Sequence, residues 1–180
     1  MHPNNGSNWY VLYTRPRFEK KIKKRFEQLE IEHCLPTYFS IRKWKDRKKK
    51  VEMLYFPNYI FVKMKEIKLW EALAVDGVVQ LVKQGGRPAV IPQKDIDVLL
   101  RLRLGTEEPE IVNTSDFDEG QEVIITNGPL KDLTGRIFKV KSKLKIGLKV
   151  EGIDKSVLIE ISSQDIEPVP TQAMTEVVDY

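Results

Sequence analysis

The sequence predicts an α+β protein in two units: an N-terminal α/β sandwich, an antiparallel sheet with flanking helices, joined by a linker to a small β-barrel. Three observations predict it. Up to Leu104, strand-like and helix-like apolar periodicities alternate. From Gly105 to Glu119 the periodicity lapses and six acidic residues gather with no base, as in a solvated linker. Beyond Gly120 only short apolar or alternating runs occur, separated by turn residues. The expected boundaries are 8–104 for the first domain, 105–119 for the linker, 120–170 for the barrel and 171–180 for a mobile tail.

Trp9–Tyr13 is a compact aromatic and β-branched run that suits a buried strand. From Arg15 to Ile31, Phe18, Ile22, Phe26 and Leu29 recur at helical spacing while Lys and Arg fill much of the remaining surface, so an amphipathic basic helix is expected. Cys34–Trp44 reads as a strand interrupted early by Pro36, and Met53–Met64 as another. Between them the basic stretch Arg42–Lys50 has the character of a hairpin arm. Ile67–Val75 reads as a short helix and Val78–Val82 as a strand. Pro92–Leu104 reads as a helix with Ile96, Leu99 and Leu100 inward. In the second unit, Val123–Thr126, Gly135–Val140, Leu144–Val150 and Ser156–Ile161 are strand candidates for a barrel of about five strands.

Charge separates the units. Residues 1–104 carry 22 Lys and Arg against 11 Asp and Glu, whereas residues 105–180 carry 8 against 15. The acidity sits in the linker and tail, because 120–170 balances 8 bases against 7 acids. A basic first unit suits a polyanion such as nucleic acid. No apolar run approaches the roughly 20 residues of a membrane-spanning helix, and Met1–Asn8 lacks a signal-peptide pattern, so a cytoplasmic monomer with no membrane contact is expected. The single cysteine, Cys34, and two histidines, His2 and His33, form no metal-ligand set, and no cofactor is expected. His33 and Cys34 are adjacent, which on a strand sends them to opposite faces, and no phosphate loop or nucleophile elbow occurs. An enzyme is not expected.

Four motifs of the first unit, Trp9-Tyr-Val-Leu-Tyr13 before a basic helix, Tyr55-Phe-Pro-Asn-Tyr-Ile-Phe-Val62, Gly77-Val-Val-Gln-Leu-Val82 and Arg87-Pro-Ala-Val-Ile-Pro92, stand in a telling order. It is the order seen in NusG-type transcription factors, which the chain resembles over residues 9–169. The run Glu119–Arg136, with Asn127-Gly128 in a turn and Gly135 at the next strand, resembles the KOW motif, an SH3-like barrel module. Gly128 suits positive φ, and Gly135 leaves room for close backbone approach. Phe56-Pro-Asn-Tyr59 and the Arg-Pro-Ala-Val-Ile-Pro run are closer to specialised RfaH-like paralogs and antiterminators of capsular polysaccharide operons. Asn tolerates left-handed backbone, so a purely structural reason for it stays open.

The resemblance implies an elongation or antitermination factor that binds the clamp helices of the largest RNA polymerase subunit and suppresses pausing or termination. Its KOW domain would recruit a ribosomal protein or a termination factor. The matching docking positions are Phe56, Pro57, Tyr59 and Phe61, with Leu81 and Ile96 beside them. Alternation along the strand sets Tyr59 and Phe61 against Ile60 and Val62, so one of those pairs is expected in the core. Arg15, Arg17, Lys21 and Arg25 fall where RfaH-like relatives touch non-template DNA, although Pro16 and Phe18 depart from the polar residues there. Arg42, Lys43, Lys45, Arg47, Lys48, Lys49 and Lys50, interleaved with Trp44, would hold upstream DNA through its phosphates. The alternative is a KOW-containing RNA-binding or ribosome-associated module without polymerase contact. The β-branched and glycine content of 120–170 favours strands over the helical form that some RfaH-like relatives adopt.

Overall fold

The computed structural model describes residues 6–43, 46–102, 110–113, 120–128, 130–140, 143–150, 152–153 and 155–169. The first unit begins with β1 (Ser7–Thr14), α1 (Glu19–Gln28), β2 (Glu32–Cys34), β3 (Thr37–Lys43), β4 (Lys48–Leu54) and β5 (Tyr59–Lys65). It continues with α2 (Leu69–Leu73), β6 (Val78–Leu81), β7 (Lys83–Gln84), β8 (Arg87–Pro88), β9 (Val90–Ile91) and α3 (Gln93–Leu102). Strands β2, β5, β1 and β6 lie side by side in that order, and β9 also pairs with β1. Every pairing is antiparallel.

This sheet is covered on both faces, which sets its sequence pattern. Tyr10 lies opposite Val62 and Leu12 opposite Ile60, so these four share one face, where Ile22 and Phe26 of α1 and Leu69 and Ala72 of α2 pack on them. Val11 lies opposite Phe61 on the other face, where both join Trp9, Ile91 and the α3 residues Ile96, Leu99 and Leu102. Of the two pairs set apart by alternation, Ile60 and Val62 form the expected core pair, whereas the other divides, with Phe61 buried and Tyr59 half-buried. Ile60, Phe61 and Val62 are all 0% exposed, because a two-sided layer leaves a central strand no solvent face.

Two helices shift their expected stripe. Leu29 is 43% exposed, since α1 stops at Gln28, Glu30 takes φ 55, and the Ile31 amide donates back to the Phe26 carbonyl at 2.9 Å. That six-to-one closure turns the buried Ile31 inward in place of Leu29. On α3, Leu102 is buried while Leu100 is 53% exposed, so the inward row runs 96, 99, 102. The expected strand Met53–Met64 is likewise divided into β4 and β5 by a turn through Phe56, Pro57 and Asn58, whose φ is 71. The expected strand Cys34–Trp44 divides at Leu35 and Pro36 into β2 and β3. Gly85 and Gly86, at φ 58 and 80, close an additional hairpin, β7 to β8. The helix expected over Ile67–Val75 is a 3-10 turn, Glu66–Lys68, leading into the five-residue α2.

The second unit comprises β10 (Glu110–Asn113), β11 (Glu122–Ile125), β12 (Thr134–Val140), β13 (Lys143–Val150), β14 (Lys155–Glu160) and β15 (Ile166–Pro168). They form one antiparallel sheet in the order β10-β14-β13-β12-β11-β15. Residues 110–113, expected in the linker, thus serve as a strand along β14. The rest of that linker, apart from 110–113, and the expected tail lie outside the described residues. Val123, Ile125, Leu133, Ile146, Ile153 and Val157 belong to the same apolar cluster as Phe61 and α3. The two units meet at Gly152, whose φ is +81; a β-carbon there would lie 2.7 Å from Ile91 Cδ1 and 3.2 Å from Ala89 Cβ.

Candidate functional site

The turn between β4 and β5 gathers the aromatic candidates. Asn58 occupies the left-handed region that favours Gly or Asn. Its amide donates to Glu19 Oε1 at 2.8 Å, and its carbonyl accepts from the Thr14 amide at 2.8 Å. Glu19 is only 3% exposed, so a buried carboxylate at the start of α1 holds the turn. Around it, Phe56 meets Phe61 edge-on at 6.3 Å between centroids, Tyr59 meets Tyr13 at 5.4 Å, and Tyr55 meets Tyr38 at 5.1 Å. The Tyr55 hydroxyl donates to the Leu102 carbonyl at 3.1 Å, tying the turn to the end of α3, and burial pushes its pKa up to about 12.

Of the six expected docking residues, Phe56, Phe61 and Ile96 are fully buried on the α3 side, Tyr59 is half-buried beside them, and Pro57 is exposed. Leu81 packs against the opposite cluster, with Leu12 and the α1 residues, and does not share their face. Trp9 was not among the candidates, yet its indole Nε1 donates to Gln93 Oε1 at 2.8 Å at the start of α3, and it lies in the same cluster. Its place in the first motif was the available signal. Cys34, paired with Phe61 across the sheet, is buried, and burial pushes its thiol up to about 12, which leaves it a packing residue.

The basic candidates form two surfaces. On the first, Arg15 and Lys21 both bind Asp76, Lys21 at 2.9 Å, and both stand over the Phe18 ring, at 4.2 and 5.1 Å from its centroid. The Lys21 hydrogen bond, with the Arg15 charge beside it, holds the Asp76 carboxyl below its usual range. Arg25 joins Lys21, Lys24, Gln28, Val75 and Asp76 around an open groove of about 270 Å³. Arg17 is exposed at φ 67. Phe18 packs on Gly77, where a β-carbon would come within 2.5 Å of its ring.

The second surface is the β3–β4 ribbon, a two-stranded pair that stands apart from the main sheet. Arg42, Lys43, Arg47, Lys48, Lys49 and Lys50 are all exposed on it. Lys45 and Trp44 lie outside the described residues. The ribbon is tethered to α1 by Lys20 and Glu52 at 2.8 Å, with Thr37 Oγ1 donating to the same carboxylate at 3.0 Å.

In the second unit Gly128 has φ 80 in an exposed turn, and Asn127 Nδ2 donates to Asp165 Oδ1 at 3.2 Å across it. Gly135 pairs with Val123 inside β12. At Gly120, in the same motif, a β-carbon would lie 1.7 Å from the Ile137 carbonyl oxygen. Among the described residues no group of three or more His, Cys, Asp and Glu side chains is placed to hold a metal ion, and no helix is long and apolar enough to cross a membrane.

The transcription termination factor NusG family model matches residues 7–100, the stretch holding the aromatic turn and both basic surfaces. Along the chain, the transcription termination/antitermination protein NusG of Pasteurella multocida is 29% identical over 172 residues, covering 86% of this chain and 92% of that protein. That of Rickettsia felis is 27% identical over 177 residues, covering 91% of each. In structure, NusG of Thermotoga maritima, solved for its domain interaction, matches with a TM-score of 0.53 at 23% identity, over 91% of this chain and 98% of that one. With more than half of its residues matched, this chain belongs to the NusG family.

Proposed function

We propose that the chain is a transcription elongation and antitermination factor whose first unit docks on the clamp helices of the largest RNA polymerase subunit and suppresses pausing or termination. The observation that carries the reading is the family match over residues 7–100 with the aromatic turn at its centre. Large aromatics at a helix-binding surface supply anchors of the kind that dominate interface energetics. Phe56, Phe61 and Ile96 share an apolar cluster with residues of the second unit, so docking through these side chains competes with that packing. The accessible anchors are Tyr59 and Pro57. Tyr59→Ala is expected to weaken capture of the full chain by a clamp-helix fragment about 10-fold or more. Unchanged capture would remove this face from the interface.

On this reading the second unit is a KOW module, an SH3-like barrel that recruits a ribosomal protein or a termination factor. The specialised-paralog assignment, with action at polysaccharide operons, is supported by Phe56-Pro-Asn-Tyr59 and by Arg87–Pro92. The left-handed backbone of Asn58 accounts for Asn there by itself, so the second run carries more of that assignment.

The two basic surfaces would hold non-template or upstream DNA through phosphates. Asp76 then acts against binding at α1, since it occupies Arg15 and Lys21. Asp76→Asn is expected to raise affinity for DNA at low salt several-fold and to steepen its salt dependence by about one to two counterions. Titration by fluorescence anisotropy at several salt concentrations checks this. No gain in affinity would exclude the α1 surface from the DNA contact.

A further inference from the structure

The β3–β4 ribbon carries more than charge. In its register Phe39 lies opposite Glu52, Ile41 opposite Lys50 and Lys43 opposite Lys48, so these six side chains share one face. The other face carries Tyr38, Ser40, Val51 and Met53, and at its base Tyr38 packs on Tyr55 and Ser40 is 2% exposed. The core therefore takes the second face and leaves the first outward. On that outward face Phe39 is 44% and Ile41 71% exposed. The Lys50 ammonium crosses diagonally to stand 4.3 Å from the Phe39 ring centroid.

A lone exposed apolar residue needs no explanation. Here an aromatic ring and an aliphatic side chain stand in line, two residues apart, on a strand whose tip and partner are crowded with cations. Residues 42–50 hold seven Lys and Arg and a single acid, Asp46. A protein partner with a neutral apolar surface would have to bury Lys43 and Lys48 beside Phe39 and Ile41 without offering them a counter-charge, which is costly. A polyanion with apolar faces of its own meets both features. Single-stranded DNA is that chemistry, because its unpaired bases expose π faces between phosphates. The separation of Phe39 and Ile41 along the strand, about 6.8 Å, is close to two nucleotide steps of a stacked strand. Blunt duplex offers only phosphates to this face, its bases being stacked on each other.

We infer that the Phe39/Ile41 face of the ribbon is a base-stacking surface for single-stranded DNA, with Lys43, Lys48 and Lys50 taking the flanking phosphates. The inference rests on the DNA-binding reading of the arm and gives it a preferred form of substrate, unpaired DNA over duplex. Lys50 moves from the ring to a phosphate as a base takes its place. The ribbon face lies on the same side as Lys20, through Glu52, so a strand running across it continues toward the basic face of α1.

The test compares the full chain and its variants at one fixed salt concentration on a single-stranded DNA of about 15 nucleotides, the matching blunt duplex and an RNA of the same sequence. Phe39→Ala is expected to weaken single-strand binding about 5- to 100-fold with duplex binding unchanged, and Phe39→Trp to preserve it. Lys43→Ala with Lys48→Ala is expected to weaken both forms of DNA and to lower the salt slope by about one to two. Since Phe39 is exposed, its loss leaves the core intact, and circular dichroism of the variant verifies that. Single-strand affinity unmoved by Phe39→Ala, or lost equally on duplex, overturns the stacking surface, and preference for the RNA overturns the assignment to DNA. If the lysine pair is also without effect, the DNA reading of the arm fails with it. An effect of the lysines alone sinks only the stacking inference.

Discussion

Gly120→Ala is expected to disrupt the second unit outright. A β-carbon at this position would sit 1.7 Å from the Ile137 carbonyl oxygen and 2.8 Å from its carbon, and neither atom belongs to a side chain that can rotate away. The Ile137 amide is meanwhile held by the Gln121 carbonyl at 2.9 Å, so the two backbones cannot part without breaking β12 from its neighbour. The cost should be about 3 kcal/mol or more, at the upper end of what overpacking produces. Amide hydrogen exchange should show lost protection across β11 and β12, with β1 and β5 retaining theirs. Gly128→Ala is the control. Its φ of 80 is unsuited to alanine, but nothing lies within 4 Å of the added carbon, so the cost is limited to about 1–2 kcal/mol of backbone strain. Equal costs for the two substitutions would mean that the approach to Ile137 is not the constraint.

Phe61→Ala should be the most damaging truncation in the first unit. The ring is 0% exposed, lies between Val11 and Cys34 of the neighbouring strands, and meets Phe56 edge-on. Removing it leaves a cavity in a two-sided layer and should cost about 3–5 kcal/mol. A fall in Tm of about 6–20 °C follows for a chain of this size. A fall of only a degree or two would show that the ring is not held as described. The same figure decides how the polymerase interface is to be probed. Lost binding in Phe61→Ala would report unfolding as readily as lost contact, whereas Tyr59, half-buried on Tyr13, separates the two.

The elements of the first unit were legible because their signals are local. An aromatic β-branched run, a stripe at helical spacing and Pro near a helix start each depend on nearby residues. Elsewhere distant parts of the chain decide the outcome. Tyr59–Val62 alternates in register, yet α3 covers the face that a one-sided sheet would leave open. Residues 110–113 read as linker because their acidic surroundings mask a short strand that only pairing with β14 reveals. Leu81 matched a family motif but sits across the sheet from Phe61, since the pairing Leu12–Leu81 sends it toward α1. For the basic surfaces the sequence supplied the cations, whereas Asp76 as their shared partner depends on a fold that brings residue 76 to residues 15 and 21.

The first turn of α1 spends three consecutive side chains on three different elements. Glu19 holds the amide of Asn58, Lys20 binds Glu52 of the ribbon, and Lys21 binds Asp76 before β6. Each residue advances the helix by about 100°, so these contacts fan around its end like bolts on a flange. Their chemistry runs anion, cation, cation, and their targets are an amide and two carboxylates. A slip by one position would therefore set Glu19 against a carboxylate and Lys20 against another partner's place. The helix phase, and with it the relative aim of the aromatic turn, the ribbon and the α1 groove, is keyed by that order of charges.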